Sequence, residues 1–206
     1  MIQPTQPNQQ QQAAWPEAGL RLIDGFYSAA DSYSLFRQLM DVVDWQQLPI
    51  TVYGKSWPEP RLTSWVGDSD AVYSYSGQAR RPVAWFEPLS LLREQISAQL
   101  GLRFNSVLVN CYQDGSHGVG WHSDDEPELG ANPTIASLSL GSTRRFRVRH
   151  KSNQAIAARS FDLRAGNLLV MDGNSQRDWQ HAVPKVKSTV GPRINLTFRL
   201  VGPPLA

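Results

Sequence analysis

A mainly β domain of the α+β class, a sandwich or barrel with helices packed against one side, is what this sequence predicts. Two helical periodicities lie in the first half. Five short alternating segments follow in the second, parted by turns rich in Gly, Pro, Asn and Asp. The length agrees: 206 residues suit a single domain, and a chain of that size buries roughly 70% of the surface its unfolded form exposes.

Residues 1–14, MIQPTQPNQQQQAA, carry no charged side chain and are mostly Gln and Pro. This composition predicts a disordered tail, followed by one domain over 15–206. The tail lacks the basic start and apolar stretch of a signal peptide, and no apolar run approaches the ~20 residues of a membrane span. Cys111 is the single cysteine, which excludes an internal disulfide framework and a cysteine-only zinc site. A cytoplasmic protein with no membrane attachment is expected.

From about Ser32 to Val43, Leu35, Phe36, Leu39, Met40 and Val43 recur at helical spacing. From about Leu89 to Leu100, Leu89, Leu92, Ile96 and Leu100 do the same, and Gly101 stands where a C-terminal cap belongs. Between them, 50–86 is rich in Trp, Tyr, Pro and Gly and reads as short strands and loops. The alternating segments are Ser106–Tyr112, Thr134–Leu140, Arg144–His150, Asn167–Asp172 and Arg193–Val201.

The net charge is only +2, yet sixteen of the twenty basic residues are Arg. Arg is suited to planar recognition of carboxylate and phosphate, though composition bias also raises it, so position must decide. In Arg144–Lys151, Arg145, Arg147 and Arg149 share one strand face; Arg144, Phe146, Val148 and His150 share the other. Such a basic face suits phosphates, and a solvated strand face is the plainer alternative.

His122-Ser123-Asp124 places an imidazole and a carboxylate two residues apart, on one side of an extended chain. His181 is the candidate third ligand. Two His and one carboxylate make the facial triad of non-haem Fe(II) oxygenases, which leaves positions open for cosubstrate and oxygen. With four His and twelve Asp, a His-x-Asp pair is expected by chance about one time in four, so structural or capping roles remain open on this motif alone.

The last strand is more specific. Ile194, Leu196 and Phe198 take one face; Arg193, Asn195, Thr197 and Arg199 take the other. In a closed β structure the polar side faces solvent or an enclosed cavity. A cavity lined by two guanidiniums and an amide suits a small dicarboxylate.

In order, Asn110-Cys111-Tyr112, His122-Ser123-Asp124, His181 and Arg193-x-Asn195-x-x-x-Arg199 resemble the AlkB dioxygenases. Neighbouring text agrees: WHSDDEPELG at 121–130, IASLSLG at 135–141, DWQHAVPK at 178–185 and PRINLTFR at 192–199. VYGK at 52–55, PRLTSWVGD at 60–68 and YSYSG at 73–77 extend the likeness upstream. It is strongest to the AlkB homologues that repair alkylated nucleic acids.

The resemblance implies a double-stranded β-helix, or jelly roll, over 105–206, with helices and nucleotide-recognition loops over 15–104. It implies Fe(II), with 2-oxoglutarate and O2 as cosubstrates. His122, Asp124 and His181 would ligate iron and form the catalytic centre. Arg193, helped by Asn110 and Tyr112, would pair with the distal carboxylate of 2-oxoglutarate, and Asn195 and Arg199 would hold the metal-end carboxylate. Tyr75 matches an aromatic that stacks on a flipped base, and Asp125 and Glu126 match acidic residues at the base edge. Tyr53 matches an aromatic finger that fills the gap left in a duplex, with Arg61 beside it as a backbone contact. The implied activity is oxidative dealkylation of N-alkylated bases in DNA by a monomer. The alternative is an oxygenase of the same fold acting on RNA, protein or a small molecule. Cys111 reads as a small buried strand residue.

Overall fold

The computed structural model describes residues 12–52, 55–71, 73–75 and 78–202. In chain order the strands are β1 (Gln12–Trp15), β2 (Leu20–Ile23), β3 (Pro49–Val52), β4 (Lys55–Pro58), β5 (Leu62–Gly67), β6 (Tyr73–Tyr75), β7 (Gln78–Arg80), β8 (Ser106–Tyr112), β9 (Val119–His122), β10 (Ile135–Gly141), β11 (Arg144–His150), β12 (Arg159–Leu163), β13 (Leu168–Met171), β14 (Trp179–Val183) and β15 (Arg193–Arg199). Helices α1 (Ala29–Val42) and α2 (Leu89–Leu100) stand between β2 and β3 and between β7 and β8.

Helix α1 starts at Ala29, earlier than the expected Ser32, because Ser28 is the cap. Its hydroxyl accepts the Asp31 N–H at 3.1 Å, and Asp31 complements the positive end of the helix dipole. Ser32 is instead buried inside the helix. Helix α2 begins at Leu89 and ends at Gly101, which takes φ 65°, a left-handed conformation that costs a glycine little. Leu35 and Leu39 of α1 and Leu89, Leu92 and Ile96 of α2 form the buried stripes.

The strands form a seven-stranded antiparallel sheet, β1-β2-β13-β10-β15-β8-β5, and a four-stranded one, β12-β11-β14-β9; β3-β4 and β6-β7 form separate ribbons. This is the expected jelly roll with flanking helices. Strict alternation builds two cores. Val107, Val109, Leu138, Leu140, Leu168, Val170, Ile194, Leu196 and Phe198 meet α1 and α2 on the outer side of the large sheet. Tyr112, Ile135, Phe146, Val148, Leu169, Met171, Trp179 and Val183 fill the space between the sheets. Phe198 is fully buried and meets Phe104 edge to face at 6.2 Å. Phe198→Ala is expected to cost about 3–5 kcal/mol through lost burial and the cavity left behind, measured by chemical denaturation.

The boundaries differ from the sequence reading in two places. Among the described residues, backbone pairing already includes Gln12, within the segment expected to be a tail, since Gln12–Trp15 pairs with Leu20–Ile23. The large sheet also takes β1, β2 and β5 from the part of the chain upstream of 105. Strands β9, β12 and β14 were not anticipated. They are four or five residues long, and register shifts between His181 and Val183 where β14 meets β9, so no clean alternation marks them.

Candidate metal and cosubstrate site

One end of the jelly-roll interior holds a cavity of about 220 Å³, lined by residues of both sheets. Strand β15 supplies Arg193, Asn195, Thr197 and Arg199 from one face, while Ile194, Leu196 and Phe198 anchor the other in the core. Strand β8 pairs with it in register, setting Tyr112 opposite Arg193 and Asn110 opposite Asn195. Both β8 residues line the cavity. Cys111, between them, points to the opposite side. It is fully buried, its sulfur 3.9 Å from the Met40 sulfur, and burial pushes its thiol up to about 11.

From the facing sheet, His122 ends β9 and pairs in register with His181 of β14. One nitrogen from each imidazole and one oxygen of Asp124 lie within 4.8 Å of one another. Asp124 follows the end of β9, so its approach comes from the extended chain beyond the strand. His122 Nδ1 stands 2.9 Å from the Gly120 carbonyl, which directs Nε2 inward, 3.6 Å from Asp124 Oδ1. His181 stacks on Phe146 with ring centroids 5.3 Å apart.

The electrostatics suit a cation held beside a neutral His181. Burial, followed by the neighbouring His122, pushes His181 down to about 3, leaving it neutral near pH 7. Burial would raise Asp124, but Arg199 and then the two histidines outweigh it and hold the carboxyl well below its usual range. Arg199 Nη2 grips Asp124 Oδ2 at 2.7 Å. Two imidazoles and one carboxylate, converging with the carboxylate ionised, form a donor set that fits Fe(II).

At the other side of the cavity, Arg193 is 1% exposed. Its Nη2 donates to Ser139 Oγ at 2.9 Å, and its Cζ lies 5.2 Å from the Tyr112 ring centroid. Nε and Nη1 find no hydrogen-bond partner among the described residues. Burial, with Tyr112 opposing and Arg144 adding to it, pushes the guanidinium down to about 10. A buried guanidinium fork with open donors fits a carboxylate, as 2-oxoglutarate requires. Asn195 donates to Ser137 Oγ at 2.7 Å and accepts from Thr197 Oγ1 at 3.1 Å.

The expected substrate residues are placed unevenly. Glu126 is half-buried and lines the cavity. Asp125 is exposed, does not line the cavity and pairs with Lys151 at 2.8 Å. Arg61 departs most from its expected role. It is 9% exposed, donates through Nε to Asn110 Oδ1 at 2.8 Å and pairs with the buried Glu59 at 2.7 Å. The β5–β8 pairing draws it inward, because Leu62 and Thr63 sit opposite Cys111 and Asn110. Tyr75 lies in β6, paired with Gln78 of β7, and Tyr53 falls outside the described residues.

The face expected from Arg144–Lys151 alternates as read, with Arg145, Arg147 and Arg149 exposed. Arg147 and Arg149 lie 5.2 and 4.4 Å from the Trp121 ring centroid. Arg144, on the other face, is buried.

Four supporting residues escaped the sequence reading: Ser137 and Ser139, which hold Asn195 and Arg193; Phe146 behind His181; and Gln176. Buried Gln176 accepts the Asp124 backbone N–H at 2.9 Å and so fixes the chain that carries the metal carboxylate. The serines did leave a signal, as the polar positions of IASLSLG. Gln176 left none, for it sits in a turn far along the chain from Asp124.

Comparison with known proteins agrees with this geometry. The model of the 2OG-Fe(II) oxygenase superfamily matches residues 19–199. The alpha-ketoglutarate-dependent dioxygenase alkB homolog 3 of Bos taurus is 41% identical over 189 residues, covering 88% of this chain and 66% of its own length. The chain thus spans a little under two thirds of that relative. DNA oxidative demethylase ALKBH2 of Homo sapiens is 34% identical over 184 residues, covering 85% of this chain and 70% of its own. The solved structure of OsALKBH1 superposes with a TM-score of 0.62 at 22% identity, over 88% of this chain and 97% of that one, a likeness of fold. No helix among the described residues is long and apolar enough to cross a membrane. With this match over most of its length and a His-Asp-His centre facing a buried arginine, the chain belongs to the AlkB family of 2OG-Fe(II) oxygenases.

Proposed function

We propose that the protein is an Fe(II)- and 2-oxoglutarate-dependent dioxygenase that dealkylates N-alkylated bases in DNA, such as 1-methyladenine and 3-methylcytosine, by direct reversal. The observation that carries the oxygenase reading is Arg193. This fully buried guanidinium has two open donors and lines the same cavity as His122, Asp124 and His181. The substrate reading is supported by the relatives named DNA oxidative demethylase and by Glu126 at the cavity. A carboxylate there attracts a cationic methylated base more than its neutral parent.

His122, Asp124 and His181 would hold iron; Arg193, Asn110 and Tyr112 would hold the distal carboxylate of 2-oxoglutarate, and Asn195 and Arg199 its metal end. When bound, iron with 2-oxoglutarate and O2 supplies oxidising power: one oxygen atom ends in succinate, formed with CO2, and the other on the alkyl carbon, which leaves the nitrogen as an aldehyde. The chain's own part is positioning. Arg199 holds Asp124 Oδ2, Gln176 holds the Asp124 backbone, and Phe146 backs His181. A base must leave its stack to enter, and a lesion that weakens pairing lowers the few kcal/mol this costs. Tyr75 would stack on that base, with Asp125 at its edge and Tyr53 in the vacated gap.

The test is incubation with Fe(II), 2-oxoglutarate and oligonucleotides carrying 1-methyladenine, 3-methylcytosine or ethenoadenine, as single-stranded DNA, duplex DNA and RNA, with lesion loss read by mass. Lesion loss from DNA is the expected result. Succinate without lesion loss overturns the substrate reading, and no succinate with any of them overturns the oxygenase reading.

A further inference from the structure

Four buried guanidiniums among the described residues surround the jelly-roll interior, and they fall into two kinds. Arg61 and Arg199 each pair with a buried carboxylate, Glu59 and Asp124, at 2.7 Å. Arg193 and Arg144 have no ion pair among the described residues, although they are 1% and 2% exposed. Burying a cation without a counter-ion is costly, and the cost falls when an anion arrives.

Arg144 opens β11 just after the turn from β10. Its Nη1 donates to the Asp114 carbonyl at 3.1 Å, and its Nη2 to the carbonyls of His117 and Pro184 at 2.8 and 2.7 Å. It therefore ties the loop after β8 to the loop after β14. These loops are tightly packed: a Cβ on Gly118 would come within 2.7 Å of the Val183 carbonyl, and one on Gly115 within 2.6 Å of the Val186 carbonyl. Carbonyls satisfy hydrogen bonds but do not cancel a charge. Asp114, whose charge acts on Arg144, is exposed, and its carboxylate bonds Ser116 at 2.7 Å. The Arg144 Cζ lies 5.8 Å from the centroid of Tyr112, the ring that Arg193 also faces. Two buried cations without an ion pair among the described residues thus face one tyrosine, which lines the cavity.

We propose that Arg144 is a positioning residue for the cosubstrate: its buried charge, acting across Tyr112, draws the distal carboxylate onto Arg193 and favours 2-oxo acids with two carboxylates over those with one. This rests on the 2-oxoglutarate reading above. A residue that only stapled the loops would serve both kinds of acid alike.

The test is calorimetric titration of the full chain, loaded with Mn(II) and free of oxygen, with 2-oxoglutarate and with 2-oxobutyrate, which lacks the distal carboxylate. Arg144→Met and Arg144→Gln are expected to raise the Kd for 2-oxoglutarate about tenfold while moving that for 2-oxobutyrate less than about threefold. Arg144→Lys keeps the charge and is expected to stay within about threefold of the parent for both acids. Equal weakening for both acids, or a Lys variant as weak as the Gln variant, overturns the proposal. Should the Met variant not fold, the Lys and Gln pair decides, since both keep donors for the carbonyls and differ in charge. A parent protein that binds neither acid overturns the 2-oxoglutarate reading itself; a parent that binds 2-oxoglutarate, with Lys and Gln variants alike, overturns only the role of Arg144.

Discussion

Asp124→Ala is expected to abolish lesion removal and succinate formation while leaving affinity for an oligonucleotide within about threefold of the parent. The first effect follows from loss of the only carboxylate among the three converging ligands. The second follows because Asp124 is 5% exposed inside the cavity, whereas nucleic-acid affinity comes mainly from phosphate contacts at the surface. The substitution also removes the carboxylate that pairs with Arg199, itself 4% exposed. Breaking a buried pair in this way costs about 3–5 kcal/mol, or roughly 6–20 °C in melting temperature for a chain of this size. Asp124→Asn separates the two consequences, because the amide keeps an oxygen for Arg199 while losing the charged ligand. Its turnover is expected to vanish with a smaller fall in stability. Lesion assays, fluorescence polarisation and metal-free melting check all three quantities, and undiminished turnover in iron-depleted Asp124→Ala protein would sink the enzymatic reading.

Arg193→Met is expected to do the opposite to the fold. The guanidinium is fully buried, lacks an ion pair and leaves two donors open. Replacing an uncompensated buried charge with an apolar side chain of similar length is neutral or stabilising, by about 1–4 kcal/mol. The melting temperature without cosubstrate is therefore expected to hold or rise. Affinity for 2-oxoglutarate is expected to fall about a hundredfold or more, since charge-assisted hydrogen bonds contribute about 1.5–3 kcal/mol each and two are lost. Metal binding should change little, because no contact joins Arg193 to His122, Asp124 or His181 among the hydrogen bonds and ion pairs of the described residues. A cosubstrate Kd within about threefold of the parent would remove Arg193 from the site. A large drop in stability would mean that its charge is compensated in the free protein.

Strand β15 shows how much was legible beforehand. Its period-two pattern named both the core residues and the cavity residues, because an extended chain places alternate side chains on opposite faces whatever its partners. The same rule exposed Arg145, Arg147 and Arg149, and the helical spacing of Leu89, Leu92 and Ile96 located α2 at its observed bounds. Arg61 and Arg144 show what alternation leaves out, namely the partners that hold a cation inward. These are the nearby Glu59 and the distant Asn110 for Arg61, and the carbonyls of Asp114, His117 and Pro184 for Arg144.

The surplus of Arg over Lys shows where local information stops. Sequence alone determined which residue types were available and which strand faces they would share, and its resemblance to the AlkB dioxygenases implied the ligand set His122, Asp124 and His181. Only the tertiary structure decided which arginines are buried with a carboxylate, which are buried without one and which meet solvent. Alternation along a strand is local geometry, but a charge is compensated by whatever group the fold brings beside it, and in a jelly roll those groups come from strands that pair across long stretches of chain.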